Sequence, residues 1–124
     1  MRAMAGAAMA IWMGLAGAAA AQYVTLGGDD MDACASNGRV AGLNPRGDNF
    51  LAVRSGPGTR HAQIDSLHMG DAVFLCSGEG DWYGIVYGGG RDCGVSSPVL
   101  PRQVYRGPCK SGWVHRSFIE VTAG

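Results

Sequence analysis

The chain has 124 residues, of which 47% are hydrophobic and 21 are glycine, with ten basic and ten acidic side chains. That is enough for one small core and too apolar for a chain disordered throughout. A balanced charge lacks the basic footprint of nucleic-acid binding or of attraction to an anionic surface, so neither partner is expected.

The chain opens with Arg2, followed by 26 uncharged residues from Ala3 to Gly28 whose most apolar part is Ala10-Ile11-Trp12-Met13-Gly14-Leu15. Small residues come next, and Ala19 and Ala21 satisfy a small-x-small cleavage rule ahead of Gln22. Residues 1–21 are therefore read as a signal peptide, and the protein as periplasmic or secreted. The alternative is a retained membrane anchor, because the uncharged stretch exceeds the roughly 20 residues that span a bilayer. Its short apolar centre and its Ala and Gly flanks argue against that. A lipid-modified leader would need a cysteine at the cut, whereas the first cysteine is Cys34.

Removing 21 of 124 residues leaves 103, and all four cysteines stay. In an exported small domain an even cysteine count points to two disulfides. Zinc sites show short Cys-x-x-Cys or His-x-x-x-His pairs. Here the cysteine spacings are 42, 17 and 16, and His61, His68 and His115 are scattered. No metal and no other cofactor is expected.

Residues 22–33, with Gly27-Gly28-Asp29-Asp30-Met31-Asp32, read as a solvated linker, and the aspartates lack the loop glycine and distal glutamate of a calcium hand. The ordered part is expected to begin near Cys34. Asn44-Pro45 and Gly47-Asp48 are turn chemistry, so Arg46-Gly47-Asp48 is read as a loop and not as an adhesion tripeptide. From residue 50 onward, short branched and aromatic runs alternate with turn residues, and helical spacing is missing. The predicted strands are Phe50–Arg54, Gln63–Leu67, Ala72–Cys76, Trp82–Tyr87 and a last one at Gly112–His115. In Gly56-Pro57-Gly58 the glycines are expected to supply positive φ, and Arg54 beside them to hold the turn's carbonyls or a carboxylate.

Alternation puts Tyr83, Ile85 and Tyr87 on one face and Trp82, Gly84 and Val86 on the other. Leu51, Val53, Ile64, Val73, Leu75, Ile85 and Val114 are the core candidates, and Tyr83 and Trp113 are expected to pack. Cys93 and Cys109 bracket most of an insertion, Gly88–Ser111. Pairing them would close a 16-residue loop and add roughly 3 kcal/mol in the chain-entropy account. Cys34 would then pair with Cys76. Four cysteines allow three pairings and the sequence does not choose among them; loop placement favours this one.

The runs Leu51-Ala-Val-Arg-Ser-Gly-Pro-Gly-Thr59, Gly80-Asp-Trp-Tyr-Gly-Ile-Val-Tyr87 and Gly112-Trp-Val-His-Arg-Ser-Phe-Ile119 resemble the bacterial SH3 (SH3b) family. The three motifs occur in the family's order and cover about residues 50–120. The resemblance implies an all-β fold, a small five-stranded SH3-like barrel over 50–120 interrupted by the insertion at 88–111. A linker and arm over 22–49 precede it and a tail over 121–124 follows. It departs from the family pattern in the insertion and in the cysteine-bearing arm.

The resemblance also implies a non-catalytic, monomeric module of the cell envelope that binds a peptide or the peptide part of peptidoglycan. Trp82 resembles the tryptophan of an SH3 peptide groove, and His115 and Phe118 the short turn that forms its other wall. Rigid rings bury a large area at small entropic cost, which suits such ligands. Arg60 and His61 follow the Gly-Pro-Gly turn, where they could meet an anionic ligand. Two rivals stand beside this reading. One is a docking or inhibitor module for an envelope protein that uses the 93–109 loop. The other is a cryptic cell-wall hydrolase, for instance one using Cys76 with His115, which the even cysteine count disfavours. No phosphate-cradling motif is present, since Gly78-Glu79-Gly80 does not continue as G-x-G-x-x-G.

Overall fold

The computed structural model describes residues 19–47 and 49–124. The apolar centre of the expected signal peptide and Asp48 of the Arg-Gly-Asp tripeptide lie outside the described residues. The described chain is all-β. Its strands are β1 (Thr25–Leu26), β2 (Ser36–Val40), β3 (Leu51–Arg54), β4 (Gln63–Leu67), β5 (Ala72–Glu79), β6 (Trp82–Tyr87), β7 (Gln103–Val104), β8 (Lys110–His115) and β9 (Ile119–Ala123). A 3-10 turn at Arg116–Phe118 joins the last two.

All pairings are antiparallel. Seven strands form one sheet in the order β4-β3-β8-β6-β5-β2-β9, and β1 with β7 forms a second, two-stranded sheet. The large sheet does not close into a barrel by hydrogen bonds among the described residues. It is nonetheless curled, because Leu67 of one outermost strand and Ile119 of the other pack on the same cluster.

The sheet has two apolar faces. On β5, Val73 and Leu75 point to an inner cluster with Leu51, Val53, Ile85, Tyr87 and Val114, while Phe74 and Cys76 pack on an outer cluster around Leu26, Val86 and Val95. Strand β6 alternates in the same way, and its Ile85 and Val86 are both fully buried. Both faces of the centre are therefore dry.

The outer layer comes from segments expected to be linker and insertion, and here the structure corrects the sequence. Residues 22–33 are not a solvated tether: Val24, Leu26 and Ala33 are buried. The Tyr105 N–H donates to the Val24 carbonyl at 2.9 Å, and Trp113 Nε1 donates to the Gln22 carbonyl at 2.8 Å. Gly84 lets this segment cross β6, since a Cβ there would meet Val24 Cγ1 at 3.2 Å and the Trp113 ring at 3.3 Å. Ser36–Val40, expected only as part of the cysteine-bearing arm, is a strand inserted between β5 and β9. The Gly112–His115 run begins two residues earlier and is not the last strand, a place taken by β9.

Disulfides join Cys34 to Cys76 and Cys93 to Cys109, the pairing that loop placement favoured. The first ties the N-terminal segment to β5, and the second packs on Gly88, where a side chain would overlap both sulfurs. Inside this braced insertion, Tyr105 Oη donates to the Cys93 carbonyl at 2.9 Å and accepts from the Cys109 N–H at 3.1 Å. Two disulfides fit an oxidising environment such as the periplasm or the cell exterior. No helix among the described residues is long and apolar enough to cross a membrane.

Six of the seven predicted core residues are buried, and Ile64 is not: it is 54% exposed. Leu67 fixes the inward face of β4, and period two then turns residue 65 inward and residue 64 out. The inward position carries Asp65, whose carboxylate accepts from Tyr87 Oη at 2.9 Å and faces Lys110 Nζ at 3.5 Å. The Ser66 backbone N–H, chiefly, with Tyr87 and Lys110 holds this carboxyl below its ordinary range against the opposing effect of burial. Burial first, then Asp65, pushes the Tyr87 phenol well above its usual value.

Opposite pH dependences follow from the two shifts. The Asp65 contribution is present above the pKa of an unfolded aspartate, about 4, and is lost as pH falls through the lower folded value. The Tyr87 contribution is present below about pH 10 and is lost as pH rises toward the higher folded value. Tyr87→Phe should cost about 1–2 kcal/mol at neutral pH and flatten the profile at both ends. Urea unfolding of both proteins from pH 3 to 11 checks this, and parallel profiles would contradict it.

Candidate binding site

Three of the expected site residues are brought together. Trp82 opens β6 and is the cross-strand partner of His115, which ends β8. Cross-strand neighbours lie close enough for their rings to meet. The Trp82 and His115 centroids are 5.4 Å apart at an interplanar angle of 78°, and those of His115 and Phe118 are 6.3 Å apart at 65°. Both are edge-to-face arrangements, which the ring quadrupoles favour. All three side chains are half-buried.

The 3-10 turn holds this ledge in place. His115 caps it: the Ser117 N–H donates to His115 Nδ1 at 3.2 Å, and Ser117 Oγ lies 2.7 Å from the same nitrogen. An accepting Nδ1 leaves the proton of the neutral ring on Nε2, which makes that nitrogen a donor. The Arg116 N–H donates to the Asp81 carbonyl at 2.9 Å, and the side chains of these residues form an exposed ion pair at 3.4 Å. The turn is thereby fastened to the residue just before Trp82. On its other side, the Ala41 N–H donates to the Phe118 carbonyl at 2.9 Å.

Two clefts flank the Trp82–His115 pair, each of about 570 Å³. The first continues past Phe118 onto Phe50, Leu43, Asn44, Arg54 and Gln63. The second is walled by Pro57–His61, so Arg60 and His61 stand across from the ledge and share only this cleft with it. No acidic side chain among the described residues lines either one.

Arg54 takes the structural role expected of it, donating from Nη1 to the His61 carbonyl at 3.0 Å and to the Thr59 carbonyl at 3.5 Å. The turn glycines behave differently from expectation, because neither Gly56 nor Gly58 has positive φ. Gly56 is needed for space: a Cβ there would overlap the His61 imidazole. His61 Nδ1 is buried in this contact with no hydrogen-bond partner among the described residues. The ring is thus a packing element of the cleft wall, with that nitrogen turned away from any incoming anion.

Leu43, Asn44 and Phe50 were not picked out as site residues from the sequence, where Asn44 read as turn chemistry and Phe50 as the start of a strand. Phe50 carried the clearest signal, an aromatic ring at the head of the predicted Phe50–Arg54 strand. All four cysteines are in disulfides, so Cys76 offers no thiolate to His115. Among the described residues no group of three or more His, Cys, Asp or Glu side chains is placed to hold a metal ion. No protein-family model matches the chain, and no match was found among curated proteins or solved structures.

Gly56→Ala should push the His61 ring out of the wall and cost about 1–3 kcal/mol, the range for overpacking a filled site. In thermal unfolding, His61→Ala in the same chain should restore most of that loss. A Gly56→Ala protein as stable as wild type would show that the two do not touch.

Proposed function

We propose that this chain is an exported, non-catalytic SH3b-type binding domain that grips a peptide, most directly the peptide part of peptidoglycan, through Trp82, His115 and Phe118. The carrying observation is the edge-to-face ledge of three rings with a cleft on either side. Such a ledge presents rigid apolar area beside a few polar groups: His115 Nε2, Asn44, Gln63 and the Arg60 carbonyl. That combination suits a short chain with alternating amides and small side chains. Arg54 in the lining of one cleft and Arg60 in that of the other favour a ligand that carries carboxylates, as stem peptides do. An SH3-like reading of the curled sheet agrees with the family motifs falling on β3, β6, β8 and the 3-10 turn. A non-catalytic role agrees with the oxidised state of every cysteine.

Purified sacculi provide the test. Wild-type protein should sediment with them, and Trp82→Ala should lose at least tenfold in affinity, the scale of a buried aromatic anchor. Equal solubility of both proteins beside sacculi would end the peptidoglycan reading. It would turn attention to the disulfide-braced 93–109 loop, where Leu100 stands 67% exposed, as a contact for an envelope protein.

A further inference from the structure

The cleft between the Pro57–His61 turn and the Trp82–His115 pair is lined at one edge by a piece of this chain from outside the turn and the strands. Ala19 lines it, half-buried, and the Ala19 N–H donates to the Arg60 carbonyl at 3.2 Å. Three residues on, the Gln22 N–H donates to the Ser55 carbonyl at 2.8 Å, and the Gln22 carbonyl accepts from Trp113 Nε1. Residues 19–22 therefore have their main chain paired at one end to the turn, at the Arg60 carbonyl, and at the other to the Ser55 carbonyl just ahead of it. Ala20 and Ala21 between these anchors are exposed.

We infer that this cleft is a main-chain-reading subsite for peptides with alanine-sized side chains, and that Ala19 occupies its Arg60 acceptor as a built-in competitor while it remains attached through Ala20 and Ala21 to Gln22. The inference rests on the peptide reading above and specifies how one half of that site works. Arg60 contributes through its carbonyl: the turn exposes this acceptor, and an acceptor reads any amide N–H regardless of sequence. Trp82 and His115 form the other wall, and the small side chain of Ala19 lines the same cleft.

A tethered competitor acts at an effective concentration in the millimolar range, so a weakly binding external peptide is held off until the tether is removed. Cutting behind Ala21 would free the Arg60 carbonyl. The Ser55 contact would survive, because the new α-ammonium of Gln22 still donates to it, with a charge-assisted bond in place of a neutral one. Release of the leader and opening of the cleft then become one event.

The test uses the full oxidised chain and N-acetyl-Ala-Ala-Ala-Gln-amide as probe, followed by NMR titration. Ala19→Pro removes the N–H that pairs with Arg60 and lies outside every strand. It should bind the probe about three- to tenfold more tightly than wild type, the factor that one net hydrogen bond supplies. In wild type, saturating probe should displace the Ala19 amide and move its resonance to that of an exposed amide. If the probe binds wild type and Ala19→Pro equally and leaves the Ala19 resonance in place, self-occupancy is overturned while peptide binding stands. Failure of every form to bind the probe at millimolar concentration overturns the subsite as a reader of alanine main chain. The wider peptide reading is then decided separately, by sedimentation with sacculi.

Discussion

The burial of β6 on both faces is the constraint from which the rest follows. A strand with Ile85 buried on one side and Val86 on the other needs apolar cover twice, and the curled sheet supplies only the inner half. The outer half must come from chain outside the sheet. Residues 22–34 and 93–109 provide it, and each is fastened by a disulfide because so small a layer buries too little surface to hold itself in place. What looks like tether and insertion is structurally a second wall.

That wall also decides which surface stays open. It covers the middle and the far end of β6 but stops short of Trp82, where the strand begins and the 3-10 turn crosses. The rings of Trp82, His115 and Phe118 are left half-exposed on a base whose geometry is set by the Arg116 N–H donating to the Asp81 carbonyl, the Ser117 N–H to His115 and the Ala41 N–H to the Phe118 carbonyl. Their arrangement is thus a consequence of the β6–β8 register, which pairs Trp82 with His115 at one end and Tyr87 with Lys110 at the other. The same register carries Tyr87 and Lys110 to Asp65, so the polar inward position of β4 is satisfied by the strand pair that builds the site.

Strands whose own residues alternate were readable in the sequence, and strands defined by distant partners were not. Leu51-Ala-Val-Arg54 and Trp82–Tyr87 show period two, so their faces were assigned correctly. Ser36-Asn-Gly-Arg-Val40 shows nothing of the kind, because one of its two buried positions is Gly38. That glycine is there because Ile119 and Glu120 of β9 approach it: an added Cβ would sit 2.8 Å from Ile119 Cγ2 and 3.1 Å from the Glu120 carbonyl. Ile64 was misassigned for the opposite reason. Its apolar character suggested an inward position, whereas Leu67 sets the phase and Asp65 is tolerated inside through Tyr87. In the candidate site, the ring trio could be assembled from local motifs. Leu43, Asn44 and Phe50 could not, since their loop is positioned by β2, which the sequence conceals.

The most direct measurement is the stability of Val86→Ala in the oxidised protein, followed by urea unfolding. If the outer layer is a true second core wall, the substitution should cost about 2 kcal/mol, close to the loss for Val53→Ala on the inner face. A cost within about 0.5 kcal/mol, as for an ordinary surface position, would mean that residues 22–34 and 93–109 do not cover β6, and the account of why only the Trp82 end is open would fail.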